Sequence, residues 1–327
     1  MKAIVYTEYG SPDVLRLEEV EKPVPQDNEV LVKVHATGLN YADTALLSGK
    51  PFLIRFETGL SNPGKRTPGA DVAGVVEAVG SNVTRFKVGD AVFGDTSGVG
   101  FGGLAEYVAV PEKTLVHKPE NATFEEAAAV PMAAVTALQG IRNTGEIKAG
   151  QKVLIYGASG GVGTFAVQIA KSYDTHVTAV CSTGKVDMVK SIGADEVIDY
   201  KKEDFTQNGE RYDLIIAVNG HRPLSDYKGA LSENGTYVVV GGTLRQIFSG
   251  MLLGSLMTIN STKKLKSMGA AKSDADDLAF IAGLINAGKI KPVVDRCYPL
   301  DESAEAMRYV TDGHAKGKVV ITVGSES

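Results

Sequence analysis

Between Tyr156 and Thr164 the chain runs Gly157-Ala158-Ser159-Gly160-Gly161-Val162-Gly163, four glycines in seven residues. Glycine carries no β-carbon, so backbone N–H groups in such a turn can come close to an anion. A short apolar run, Val153-Leu154-Ile155-Tyr156, leads into it. Val162, Phe165, Ala166, Ile169 and Ala170 follow at the i, i+3, i+4, i+7 and i+8 spacing of a helix face. Strand, glycine turn and helix in that order form a phosphate cradle, with the turn amides and the positive end of the helix facing the anion. Aligned to G-x-G-x-x-G, Ala158 stands first, then Gly160 and Gly163. The chemistry expected is dinucleotide binding, with Ser159, Gly160, Gly161 and Val162 on the pyrophosphate.

A cradle of that kind needs a sheet to hold it, and the residues around it supply one. From residue 151 strand and helix patterns alternate: Val153–Tyr156, helix 162–172, His176–Val180, helix 185–192, Glu196–Asp199, Asp213–Val218, helix 223–231, Thr236–Val240 and a last strand at Leu265–Met268. Such alternation predicts an α/β, doubly wound parallel sheet of the Rossmann kind. Before residue 123 the pattern is different, with short strands such as Val30–Ala36, Val72–Ala78 and Ala91–Phe93 between glycine turns, and few segments of helical period. A mostly antiparallel β domain is expected there. Thr123-Phe124-Glu125-Glu126 reads as a capped helix start.

Bulk properties narrow the function classes. A chain of 327 residues is long enough for two domains. Its net charge of −5 and lack of any basic block exclude a nucleic-acid binder. Two cysteines, Cys181 and Cys297, cannot build a disulfide framework or a multi-cysteine zinc cluster. Met1-Lys2 leads straight into Ala3-Ile4-Val5-Tyr6, a first strand and not a leader, so a cytoplasmic protein is expected. The stretch Ile247–Ile259 is apolar, but Ser249, Gly250, Gly254 and Ser255 interrupt it and it is too short for a membrane span.

Charge also bears on the choice of dinucleotide. NAD-binding domains place an acid about 20 residues past the glycines, on the ribose 2′-hydroxyl. No acid lies between Thr175 and Gly184. Ser182, Thr183 and Lys185 could instead hold a 2′-phosphate, so NADPH is the expected coenzyme. Asn219-Gly220 and Gly241-Gly242 follow predicted strands, at the ends where doubly wound sheets bind ligands, and Asn219, Gly241 and Gly242 join the coenzyme candidates.

Gly150-Gln151, Leu154, Ala158-Ser159-Gly160-Gly161, Gly163, Gln168 and Lys171 match the signature of the quinone oxidoreductase and zeta-crystallin group of medium-chain dehydrogenases. Gly38-Leu39-Asn40-Tyr41-Ala42-Asp43 resembles that group's active-site segment, and Pro68 to Gly80 its glycine-rich hairpin region. Asp312 to Val319 resembles the plant chloroplast-envelope quinone oxidoreductases and alkenal reductases. The resemblance implies a GroES-like barrel for residues 1–125, a Rossmann domain for 126–266, and a return to the first domain over 267–327. It implies that Lys185 and Tyr200 share the 2′-phosphate, that Lys318 meets the pyrophosphate, and that Thr136 is a coenzyme contact. It also implies a homodimer, paired through Leu265–Met268.

The zinc-dependent branch of the same superfamily uses Cys, His and Cys. Asn40 and Ala70 stand at the first two of those positions and the third falls near Met132, so no metal is expected. The five histidines lie singly. Without a metal to stabilise an alkoxide, reduction of a quinone or an α,β-unsaturated carbonyl is the natural reaction. Asn40 and Tyr41 are the candidate oxyanion donors, with Asp43 orienting their loop. Phe52 and Phe56, in the long segment 51–67, could line a flat pocket opposite Ile247, Phe248 and Met251. Two alternatives stay open at this point: an alcohol dehydrogenase with an unusual metal site, and a non-catalytic NADPH-binding protein.

Overall fold

The computed structural model describes residues 1–218, 222–241 and 261–324. The expected sites at Asn219 and Gly242, and the wall drawn from Ile247, Phe248 and Met251, lie outside the described residues. The chain divides into two compact units. The first is Met1–Met132, Ser273–Gly288 and Pro292–Ser327, and the second is Ala133–Lys272 with Lys289–Lys291. The first unit runs past residue 125 because the helix Phe124–Ala128 buries Ala127 and Ala128 in it, and its Thr123 cap accepts the Glu126 N–H at 3.2 Å.

In chain order the first unit opens with β1 (Lys2–Val5) and β2 (Arg16–Glu19), an antiparallel pair. Next come β3 (Glu29–Leu39), β4 (Asp71–Val79), β5 (Ala91–Asp95), β6 (Tyr107–Pro111) and β7 (Leu115–His117). The second unit carries β8 (Lys152–Tyr156), β9 (His176–Cys181), β10 (Glu196–Asp199), β11 (Tyr212–Val218), β12 (Leu231–Val240) and β13 (Lys264–Ser267). The chain then returns to the first unit with β14 (Val294–Pro299) and β15 (Lys318–Thr322).

Strand β3 organises the first unit. It pairs antiparallel with β4, β6 and β15, and the sheet runs β14-β15-β3-β4-β5-β7 with β6 also on β3. Its Val30, Val32 and Val34 point into a core with Val72, Val76, Val319 and Ile321. A helix over Tyr41–Ser48 follows β3 directly, inside a region expected to be almost all strand. Capping starts it, with Asn40 and Asp43 forming a reciprocal box, and Gly49 at φ 60° ends it. Eight residues are too few for a helical period to show. Segment 51–67 is also less irregular than expected, holding short helical turns over Phe52–Ile54 and Arg55–Thr58.

The second unit is the predicted parallel sheet, in the order β10-β9-β8-β11-β12-β13 among the described residues. The strand order reverses beside β8, as in nucleotide-binding doubly wound folds. Register sets Tyr156 opposite Val180 and Ala217, Cys181 opposite Asp199, and Val218 opposite Val240. The C-terminal strand ends therefore meet along one edge. Beneath them Tyr156, Phe205, Tyr227 and Tyr237 pack with ring centroids 4.8 to 5.8 Å apart. Among the described residues no helix is long and apolar enough to cross a membrane.

Candidate functional site

The glycine turn sits at the end of β8. Its tight residue is Gly157, at φ 81°, and not Ala158 as the alignment to G-x-G-x-x-G had it. A β-carbon on Gly157 would stand 2.1 Å from the Val218 carbonyl oxygen, so β11 leaves no room for a side chain there. Ala158 keeps a normal φ and is buried. Gly163 serves close packing, since its β-carbon would lie 2.1 Å from the Gly157 carbonyl oxygen. Gly160 differs from both. It has φ −87° and nothing within 4 Å of where a β-carbon would go. As N-cap of the helix Gly161–Ser172 it brings no side chain to the first turn, so the amides of Gly161 and Val162 face outward uncapped. Ser159 is buried beside them. An open backbone cradle at a helix N-terminus fits a dinucleotide pyrophosphate.

Strand β9 ends at Cys181, followed by half-buried Ser182, exposed Thr183 and half-buried Lys185 in a short helical turn. Tyr200 is exposed at the end of β10, where its N–H donates to the Cys181 carbonyl at 3.1 Å. Gly241 (φ 70°) ends β12 on the same edge, while Thr136 lies half-buried in the helix Pro131–Leu138. One acid escaped the sequence reading. Asp199, the last residue of β10, pairs in register with Cys181 and so stands beside the turn that lacks an acid of its own. The Thr183 hydroxyl and the Lys201 N–H hold its carboxyl below the usual range. Its Oδ2 is buried without a hydrogen-bond partner, with Lys202 Nζ 3.7 Å away. Strand pairing, not distance along the chain, puts this acid there.

The first unit holds a buried polar cluster where β3, β4 and β15 meet. Lys318 Nζ donates to Leu39 O at 2.9 Å, Asn40 Oδ1 at 2.6 Å and Asp71 Oδ2 at 3.1 Å. Asn40 Nδ2 donates to Asp71 Oδ2 at 2.9 Å and to Gly38 O at 3.3 Å. Asp71 Oδ1 accepts the Met132 N–H at 2.9 Å. Asp43 Oδ2 accepts the Asn40 N–H and its Oδ1 the Gly69 N–H, at 2.8 and 2.9 Å. Lys318 is 3% exposed and Asp71 and Asp43 are fully buried. Burial, against these two hydrogen bonds, pushes Asp43 up to about 7.

Several expectations change here. Lys318 is not turned to a pyrophosphate, because its three protons already go to three buried acceptors. Asn40 is not a free oxyanion donor, because both amide protons and Oδ1 are engaged. Tyr41, 75% exposed, stands outside the cluster. Asp43 does orient the loop, through its two backbone amides. Asp71 is the member that sequence reasoning passed over. Its signal was an acid inside the apolar run Gly69 to Val76, which no strand buries without a cation to match. The donor set does not fit a zinc ion. Asn40 Oδ1 already holds an ammonium, whose charge would repel a divalent cation, and Ala70 offers no ligand atom. Among the described residues no cluster of His, Cys, Asp or Glu could hold a metal.

Residues 26–120 match the alcohol dehydrogenase GroES-like domain model, and residues 192–321 match that of zinc-binding dehydrogenases. A chloroplast envelope quinone oxidoreductase homolog of Arabidopsis thaliana is 38% identical over 335 residues, 98% of each chain. The chain belongs to the quinone oxidoreductase group of the medium-chain dehydrogenases. An NADPH-dependent alkenal/one oxidoreductase, also chloroplastic and from Arabidopsis thaliana, is 37% identical over 98% of this chain and 79% of its own. The solved quinone oxidoreductase of Coxiella burnetii superposes with a TM-score of 0.86 at 29% identity, covering 99% of both chains. Membership in this group makes the chain an oxidoreductase with a GroES-like and a Rossmann domain. The zinc-binding dehydrogenase model is named for a metal, whereas this chain has Asn40 and Ala70 at the first two ligand positions.

Proposed function

We propose that the chain reduces quinones or α,β-unsaturated carbonyl compounds, taking hydride from NADPH and using no metal. The observation that carries this reading is the Lys318–Asn40–Asp71 cluster, in which Asn40, at the first metal-ligand position, already accepts from a buried ammonium. A fixed ammonium there is neutralised by Asp71 and leaves no coordination site. Alcohol oxidation needs an alkoxide stabilised, which in this superfamily's zinc-dependent branch the metal does. A quinone or enone spreads the incoming charge over a conjugated oxygen and needs less help.

Bound NADPH supplies hydride chemistry at its nicotinamide. On this reading the residues of the chain bind and orient it. The amides of Gly161 and Val162 face the pyrophosphate, the open space at Gly160 lets it approach, and Gly241 and Thr136 line its path. Ser182, Thr183, Lys185 and Tyr200 gather at the ends of β9 and β10, where a 2′-phosphate would lie. The edge of β13, the last strand of the sheet among the described residues, is the surface through which a second copy would extend the sheet into a homodimer. The names of the two Arabidopsis relatives, a quinone oxidoreductase homolog and an alkenal/one oxidoreductase, accord with both substrate classes.

Anaerobic NADPH oxidation by chelator-treated protein tests the proposal, with 1,4-benzoquinone, 9,10-phenanthrenequinone and acrolein as acceptors. Turnover of any of them is expected. Activity that appears only when zinc is restored, or only with an alcohol and NADP, overturns it. One observation favours a second reading of the coenzyme. Asp199, paired in register with Cys181 beside the turn that lacks an acid of its own, is a carboxylate suited to a ribose 2′-hydroxyl, and so to NADH.

A further inference from the structure

A cavity of about 170 Å³ in the first unit is walled by Tyr6, Leu46, Arg66, Thr67, Pro68 and Phe101, among others. None of the expected coenzyme or catalytic residues lines it. Its lining mixes apolar and polar groups. Leu46, Pro68 and the Phe101 ring are apolar, while Arg66, Thr67 and Tyr6 are polar.

Arg66 is half-buried and makes no ion pair among the described residues. Its Nε donates to Pro63 O at 2.8 Å and its Nη2 to Thr58 O at 3.4 Å. A guanidinium has five N–H donors, so three remain. The backbone fixes its place, since Arg66 and Tyr6 exchange N–H···O bonds at 3.0 Å in both directions. The hydroxyls of Tyr6 and Thr67 have no hydrogen-bond partner among the described residues. Burial pushes the Tyr6 phenol up to about 12, so it keeps its proton and remains a donor. Among the described residues, the nearby acids Asp43 and Asp95 stay out of the cavity lining. Asp43 is closed off by the Asn40 and Gly69 amides, and Asp95 Oδ1 takes the Ser97 N–H at 2.8 Å.

We propose that this cavity binds a small carboxylic acid with a flat aromatic or unsaturated body, its carboxylate on Arg66 and its body between Leu46, Pro68 and Phe101. A planar fork of unpaired donors in a half-buried wall matches a carboxylate, which can take two parallel N–H bonds from it. The hydroxyls of Tyr6 and Thr67 can add donors to the same oxygens. The volume of about 170 Å³ leaves room for a molecule the size of benzoate.

The test does not depend on the reductase reading, because it measures binding alone. Benzoate is titrated into the full chain by calorimetry or thermal shift, with benzamide as a neutral molecule of the same shape. Saturable benzoate binding is expected, weaker by about tenfold for benzamide and for Arg66→Gln. Leu46→Trp narrows the cavity while leaving Arg66 in place, and it should weaken benzoate by about tenfold or more as well. The melting transition without ligand serves as the control, and a cooperative transition in each variant shows that it folds. Equal binding of benzoate and benzamide overturns the proposal. So does benzoate affinity retained by either variant, or a wild-type chain that gives no saturable response.

Discussion

Replacing Lys318 by methionine keeps the bulk of the side chain and removes its charge. In the native chain the ammonium sits between Leu39 O, Asn40 Oδ1 and Asp71 Oδ2, with Lys318 3% exposed and Asp71 fully buried. Removing one member of a buried ion pair costs about 3–5 kcal/mol, because the other charge stays behind without its partner. Asp71 would keep two donors, the Met132 N–H and Asn40 Nδ2, both at 2.9 Å, which places Lys318→Met near the lower end, about 3 kcal/mol. For a chain of this size each kcal/mol moves the melting temperature by about 2–4 °C, so a fall of roughly 6–12 °C is expected. The pairing itself is read from a double-mutant cycle. Asp71→Asn combined with Lys318→Met removes both charges and should cost about 1–2 kcal/mol less than the two single changes added together. A melting temperature lowered by less than about 2 °C in Lys318→Met, or strict additivity in the cycle, would refute the reasoning.

The two glycines of the turn should separate stability from binding. Gly163→Ala drives a β-carbon to 2.1 Å from the Gly157 carbonyl oxygen and should cost about 1–3 kcal/mol in urea melts. Gly160→Ala has open space and an ordinary φ, so its melting point should hold while its NADPH dissociation constant, read by nicotinamide fluorescence, rises about tenfold or more. Asp43, pushed up to about 7 by burial, holds a proton in the folded chain between about pH 4 and 7 that the unfolded chain has lost. Stability should therefore fall as pH rises through that window, and urea midpoints from pH 5 to 8 check the sign. Asp95, raised to about 6 by burial, acts in the same direction over the lower part, and Asp43→Asn should flatten the rest. Lys185→Ala should weaken NADPH by about 10–100-fold and leave NADH nearly unchanged, as expected for loss of a charge-assisted bond of about 1.5–3 kcal/mol. Asp199→Asn should do the reverse, lowering kcat/KM for NADH alone.

Local patterns carried the second unit well. Strand and helix alternate there with clear period, and Glu196–Asp199 was placed residue for residue. Strand β12 starts at Leu231, five residues before the predicted Thr236, because Leu231 pairs with Tyr212 of β11 ahead of an irregularity in which Asn234 takes φ 64°. The first unit was harder. Its helix Tyr41–Ser48 rests on a cap and a C-terminal glycine, with too few turns for a hydrophobic stripe. Its polar cluster joins residues 40, 71 and 318, a juxtaposition that no spacing rule contains. The same holds for Asp199, whose neighbour across the sheet is Cys181. Residue types were legible throughout, whereas roles fixed by long-range partners were not. Asn40 reads equally well as an oxyanion donor or as a brace until Lys318 is set beside it.

Because the second unit interrupts the first, β15 and its Lys318 belong to a fold begun nearly a whole chain length earlier. During synthesis at about 5–20 residues per second, the 247 residues from Asp71 to Lys318 (318 − 71) take on the order of 10–50 s to emerge. Throughout that interval the strand β3 lacks its β15 neighbour and Asp71 lacks its counter-charge. The nascent first unit therefore waits, with an open strand edge and an unmatched acid, while the second unit has all its strands in hand and can fold ahead of it. A chaperone that recognises unpaired strands has its window there, and it closes only when the last strand is released from the ribosome.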